Sequence, residues 1–163
     1  MNTKRFFISA AFGLLAIKAV SLLYGATESP IVHLKNAQEL DSFLKANPLV
    51  VVQFHDLNCP VCQAFKRKGI YNETALALPH IKFAMVSVQE GPGLHREFKI
   101  QNYPTFLFWR KAKKITYNDK GKPTDRYAGY VPNPMYSRKI TDIFALAELE
   151  AQKEQANSPT ETE

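Results

Sequence analysis

The sequence predicts an α/β fold in which helices flank a mixed central β-sheet, and three observations lead there. Runs of strand length, rich in β-branched and aromatic residues, occur at 49–55, 81–88 and 105–109 and alternate with segments of helical periodicity. The first run, Leu49-Val50-Val51-Val52-Gln53-Phe54-His55, is apolar almost throughout, as a strand covered on both faces must be. The regular alternation then gives way to a turn-rich hairpin and a last helix, which makes the sheet mixed instead of wholly parallel. The 163 residues suffice for one domain with its own core, and not for two.

Residues 27–33 read as a short polar, proline-containing connector. Asn36 is a cap-type residue with Glu39 three positions on, so a helix starts there; Ala37, Leu40, Phe43 and Leu44 share one face, and Asn47-Pro48 stops the pattern. The central strand at 49–55 follows. Asp56-Leu57-Asn58 turns the chain into a helical segment at 59–68, whose basic end suits the negative end of a helix dipole. A second helical piece at 73–78 precedes Pro79, residues 81–88 form the next strand, and Gly91-Pro92-Gly93 is a break. Leu94, Phe98 and Ile100 mark a short helix, after which Asn102-Tyr103-Pro104 leads into the strand at 105–109. The turn cluster at 118–123 predicts a protruding hairpin that pairs 114–117 with 125–130. Asn133-Pro134 supplies an N-cap and a first-turn proline for a final helix carrying Ile140, Ile143, Phe144 and Ala147 on one face. No internal repeat is visible.

Met1 to Arg5 carry two positive charges and lead into an apolar stretch that reaches Ala26 with only Lys18 interrupting it, the order of an export signal. Leu23 and Tyr24 stand where a cleavage site wants a small residue, so the segment is expected to act either as a cleaved signal or as a retained membrane anchor. The domain boundaries expected are therefore 1–26 for that segment, which targets the chain to a membrane, 27–149 for the folded domain, and 150–163 for a polar, disordered tail. Half of the formal charge of +6 comes from Lys4, Arg5 and Lys18. The remaining clusters, Lys66-Arg67-Lys68 and the basic run at 110–114, lack interleaved stacking aromatics and read as solvated faces, which argues against a nucleic-acid partner.

Only two cysteines occur, Cys59 and Cys62, with Pro60-Val61 between them. The loop they would close is too small to staple a fold, so a purely structural role is weak. A Cys-x-x-Cys at the start of a helix, just after a buried strand, has a definite chemical use. The first sulfur lies where free backbone N–H groups and the positive helix end favour a thiolate nucleophile, and the second is one turn on, close enough to attack a mixed disulfide.

The order helix, strand, Cys59-Pro60-Val61-Cys62, helix, strand, helix, Tyr103-Pro104-Thr105, strand, hairpin, Gly129 and final helix resembles the thioredoxin superfamily over about residues 31–149. The resemblance implies a thioredoxin-like fold and thiol-disulfide exchange on proteins that carry thiols or disulfides, with Cys59 as nucleophile and Cys62 as resolving thiol. It requires no bound cofactor and no metal. It also implies that Pro104 is a cis-proline facing the pair and that Tyr103 offers backbone hydrogen bonds to a bound peptide. Departures from the family pattern are Gln53 for the buried Asp six residues before the first cysteine, Asn58 for the Trp before the pair, Arg67 for the helix-kinking proline, and Pro60-Val61 for Gly-Pro. They point to a specialised exported relative, with the bacterial periplasm or another extracytoplasmic compartment as its expected location. A reductase there would draw its electrons from a membrane redox partner.

Other readings stay open at this point. The same fold serves as a redox-inert binding or assembly factor. A structural metal site wants four ligands, and without a second cysteine pair His55 would have to join His33, His80 or His95. Two residues are candidate modulators of the pair. Gln53 leaves the proton of Cys62 without a carboxylate to receive it, and His55 either favours a thiolate as a cation or makes an ordinary strand-end hydrogen bond.

Overall fold

The strand at 49–55 lies at the centre of the sheet because both of its faces are apolar: Val50, Val51, Val52 and Phe54 are wholly buried. The computed structural model describes residues 29–157. The segment 1–26, expected to direct export, and the last six residues lie outside that range. The described chain runs β1 (Ile31–His33), α1 (Ala37–Ala46), β2 (Leu49–His55), α2 (Pro60–Arg67), α3 (Ile70–Ala77), β3 (Lys82–Ser87), α4 (Pro92–Glu97), β4 (Thr105–Arg110), β5 (Lys113–Lys114), β6 (Tyr117–Asp119), β7 (Lys122–Thr124), β8 (Arg126–Ala128) and α5 (Met135–Asn157). Among these helices none is long and apolar enough to cross a membrane.

The main sheet has the order β1-β3-β2-β4, with β5 and β8 both paired to the far edge of β4. β1, β3 and β2 are mutually parallel, whereas β4 is antiparallel to β2, so the sheet is mixed as the sequence predicts. Side chains alternate across β2. Val50, Val52 and Phe54 pack with Leu40 and Leu44 of α1 and Leu94 of α4. Val51 faces the opposite layer, where Phe65 of α2, Tyr71 of α3 and Tyr136 and Ile140 of α5 meet. Gln53 and His55 fall on this second face, the one covered by the cysteine helix. The start of α1 is fixed reciprocally: Asn36 Oδ1 accepts from the Glu39 N–H at 2.9 Å, and the Glu39 carboxylate accepts from the Lys35 N–H at 2.8 Å.

Four expectations need correction. Part of the connector is strand β1, which completes the open edge of β3 and continues into a Leu34 N–H bond to the Met85 carbonyl of 2.9 Å. Three residues are too few to show an alternation. The hairpin is tighter than expected: β6 pairs with β7 around Lys120 and Gly121, both at positive φ (52° and 84°) as a two-residue turn of the primed type requires. The segment expected to complete the hairpin instead returns as β8 to the open edge of β4, where Tyr127 stacks on Phe106 with ring centroids 5.9 Å apart. α3 starts three residues early, because Gly69 at φ 66° ends α2 and lets Ile70 and Tyr71 enter the core at once. Finally, α5 begins after Pro134 and does not stop near Leu149. Its polar run of good helix formers, 150–157, contains no breaker before Ser158-Pro159, so the part of the presumed tail that is described is helical.

Phe65 is the anchor of α2, with its ring 5.2 Å from Tyr136, 5.6 Å from Phe106 and 6.0 Å from Tyr130 between centroids. Phe65→Ala leaves a cavity under the cysteine helix and is expected to lower stability by about 3–5 kcal/mol, read as a shift of the urea midpoint without a large change of slope.

Candidate functional site

The site forms where the chain leaves β2 and where it enters β4. Phe54 pairs with Thr105 across these antiparallel strands, so the turn after His55 and the turn before Thr105 stand side by side. The Asp56 carboxylate shapes the first turn by accepting from the Asn58 N–H at 2.8 Å and from the Gln89 amide at 2.7 Å. The Gln63 amide donates to the Leu57 carbonyl at 2.9 Å. The bonds from Asn58 and Gln89 hold the Asp56 carboxyl below the usual carboxylate range, the Asn58 N–H contributing most.

Cys59 is the N-cap of α2 and Pro60 follows in the first turn, where its missing N–H costs nothing. The Cys59 sulfur accepts from the Cys62 N–H at 3.4 Å, the position a capping oxygen would take. It also lies 3.6 Å from the Tyr103 carbonyl, to which the thiol donates. Cys59 is half-buried and Cys62 is buried, and the two are free thiols. Burial pushes the Cys62 thiol up to about 12, and the neighbouring Cys59 adds to the effect. Only Cys59 is thus placed to meet a partner, with the exposed side chains of Leu57 and Val61 as its apolar surroundings.

The Tyr103–Pro104 peptide is cis. Pro104 is buried, and its carbonyl accepts from the Gly129 N–H at 3.0 Å. Gly129 has φ 106°, a value that a side chain would strain. The structure therefore brings Cys59, Cys62, Tyr103 and Pro104 into one place.

Gln53 and His55 lie elsewhere, on the walls of a cavity of about 520 Å³ behind α2 that also reaches Cys62, Phe65, Tyr71 and Met85. Gln53 Oε1 and His55 Nε2 are both buried without a hydrogen-bond partner. Burial, followed by the charges of His33 and His95, lowers the His55 pKa to about 4, so the imidazole is neutral near pH 7. It supplies neither the cation nor the Nε2 hydrogen bond that a strand-end histidine allows. Among the described residues no three His, Cys, Asp or Glu side chains are grouped to hold a metal ion. The sequence did not reveal Gln89 or His95 as parts of this region. Gln89 carries no pattern, and His95 could be told from any helix histidine only by knowing which residue it faces.

The thioredoxin family model matches residues 31–131. Thioredoxin-2 of Pyricularia oryzae is 31% identical over 90 residues, which cover 55% of this chain and 52% of that protein. Protein disulfide-isomerase of Humicola insolens is 35% identical over 106 residues, 65% of this chain and 20% of the isomerase. The chain thus spans about half the length of the first relative and a fifth of the second. In fold it is similar to mitochondrial thioredoxin 3 from Saccharomyces cerevisiae, with a TM-score of 0.54 at 22% identity over 69% of this chain and 94% of that one.

The buried His55 sets an acid sensitivity. Its folded-state pKa of about 4 lies below the ordinary histidine value of 6.5, so as pH falls the unfolded chain takes up the proton first. Stability is then full above about pH 6.5 and is lost progressively toward pH 4, by on the order of 2–3 kcal/mol. His95, also lowered by burial, acts in the same direction. Urea midpoints at pH 7 and pH 4.5 are expected to show the loss, and His55→Gln to shrink the difference between them.

Proposed function

The chain belongs to the thioredoxin family, and from that premise we propose that it is an exported thiol-disulfide oxidoreductase acting on protein substrates through Cys59 and Cys62. The observation that carries this reading is the asymmetry of the pair. A half-buried sulfur caps a helix 3.6 Å from the Tyr103 carbonyl, and a buried one waits a turn behind it.

In the reducing direction the Cys59 thiolate attacks a substrate disulfide. A Cys59–substrate disulfide forms, the substrate S–S bond breaks, and the second substrate sulfur leaves with the electron pair and takes up a proton. Cys62 then loses its proton and attacks Cys59 Sγ. The intramolecular disulfide forms and the reduced substrate is released. Run backwards, the same steps oxidise a dithiol. The difference in reduction potential between the pair and its partner sets the direction, roughly 30 mV corresponding to about 1.4 kcal/mol. Tyr103 and Pro104 supply the strip of backbone along which an extended substrate segment lies while its sulfur meets Cys59. The basic and then apolar segment before the domain supports export, and a reductase in that compartment takes its electrons from a membrane partner.

Cys62→Ser tests the mechanism, because it leaves Cys59 able to form a mixed disulfide and unable to discharge it. Covalent adducts that dithiothreitol releases are expected to accumulate on non-reducing gels when natural partners are present, with Cys59→Ser, Cys62→Ser as control. Absence of adducts beyond that control removes the exchange mechanism and leaves a redox-inert binding factor. Fractionation of tagged full-length protein is expected to recover it outside the cytoplasm or in the membrane, and unprocessed soluble protein in the cytoplasm would rule export out.

A further inference from the structure

Tyr103 stands at the site in a fixed orientation, and a buried histidine fixes it from the other face of the sheet. His95 of α4 is only 4% exposed. Its Nε2 lies 3.3 Å from the Val86 carbonyl of β3 and its Nδ1 lies 3.2 Å from the Tyr103 hydroxyl. A carbonyl only accepts, so Nε2 carries the proton; the neutral ring then has a lone pair at Nδ1, and the Tyr103 O–H donates to it. The tautomer is assigned by its neighbours. Phe54 meets the imidazole edge to face, with ring centroids 5.1 Å apart and planes at 80°, which prevents the ring from turning. The result is a tether from β3 to the turn before β4 that bypasses β2.

The other fastenings of that turn hold backbone only. The Thr105 hydroxyl donates to the Asn102 carbonyl at 2.7 Å, and the Gly129 N–H donates to the Pro104 carbonyl at 3.0 Å. Neither restrains the half-buried Tyr103 ring, which borders the strip of backbone facing Cys59.

We infer that His95 is a positioning residue for the exchange site: through the Tyr103 hydroxyl it keeps the phenol ring against α4, so that an extended peptide bearing the substrate cysteine has the 103–104 backbone open to it. This inference rests on the oxidoreductase reading for the reaction, though not for the peptide groove. Cutting the tether frees the ring to compete with the peptide. Substrate saturation suffers while the sulfur geometry, set by the Tyr103 carbonyl, is retained.

The probe is a ten-residue peptide whose one cysteine is blocked as its disulfide with thionitrobenzoate. Attack by Cys59 forms the protein–peptide disulfide and releases the coloured thiolate, so single-turnover rates against peptide concentration separate the half-saturation concentration from the limiting rate. Tyr103→Phe and His95→Leu are each expected to raise the half-saturation concentration about three- to tenfold, the range one hydrogen bond covers, with a smaller change in limiting rate. The double variant is expected to lose no more than either single one, since both cut the same tether. His95→Gln, whose amide offers an N–H donor group and a separate acceptor atom as the neutral imidazole does, is expected to recover most of the loss. Tyr103→Phe removes a single oxygen and keeps the test valid should His95→Leu fail to fold. Additive losses, or a fall in limiting rate alone, would overturn the inference.

Affinity for the same peptide, S-methylated and fluorescently labelled, measured by anisotropy in the Cys59→Ser, Cys62→Ser background, separates the two claims. Weakening by Tyr103→Phe in a protein that releases no thiolate sinks the oxidoreductase reading and leaves the tether. Thiolate release with neither constant moved sinks the tether and leaves the reading, and failure of both measurements sinks both.

Discussion

The pairing of Phe54 with Thr105 across the antiparallel strands β2 and β4 is the constraint on which the site depends. One strand ends and the other begins at the same edge of the sheet, so the chain leaving β2 delivers Cys59 three residues after Asp56, and the chain approaching β4 delivers Tyr103 and Pro104 beside it. Val51, Val52, Phe106, Leu107 and Phe108 are wholly buried around this ladder on both faces. A slip of one residue would turn every one of them to the opposite layer, and neither layer has space shaped for the other's set. The distance between the Cys59 sulfur and the Tyr103 carbonyl is therefore a property of the core and not of two mobile loops.

The same geometry separates the two sulfurs by burial. α2 must run back over the sheet to bury Phe65, and in doing so it carries Cys62 under cover while leaving Cys59 at the rim. The helix start then uses the Cys59 sulfur as its cap. Nothing in the Cys-Pro-Val-Cys spacing alone assigns these places; the direction in which Phe65 pulls the helix does.

Strong local signals were legible in the sequence and weak tertiary ones were not. Val50 to Phe54 announced a doubly covered strand, Asn36 and Glu39 a capped helix, and the cysteine pair after the strand its position at a helix start. Strand β1 was not legible and β8 was legible as an extended segment but not in its partner, because three-residue edges owe their pairing to the open edges of β3 and β4 that they complete. For the site, Cys59 and Cys62 stood out by chemistry, while Tyr103 and Pro104 followed only from a family pattern. The tie between His95 and Tyr103 spans eight residues and a change of sheet face, which no periodicity reports. The sequence placed His55 correctly beside the turn but left its charge open. Alternation along β2 aims it into a covered cavity, and burial then decides for the neutral ring.

That cavity bears on the step in which Cys62 must ionise. On the face of β2 turned to this cavity stand an amide, Gln53, and a neutral imidazole, His55, neither of them a carboxylate; of the two carboxylates that also line it, Asp56 is engaged by the Asn58 N–H and the Gln89 amide and Glu90 is exposed. A thiol held at about 12 would then be a poor nucleophile at neutral pH if nothing changed during the reaction. Something does change. Burial is the largest cause of the elevation, but Cys59 contributes both through its hydrogen bonding with Cys62 and through its charge. Once Cys59 is bound in a mixed disulfide, that charge is gone and its sulfur no longer stabilises the Cys62 proton. In the exchange we propose, forming the mixed disulfide therefore removes part of what holds Cys62 inert, and it does so only at the step when the resolving thiol is needed. The amide at Gln53 is compatible with that order of events, because a thiol released by its partner depends less on a permanent base than one that must be ionised against an unchanging environment.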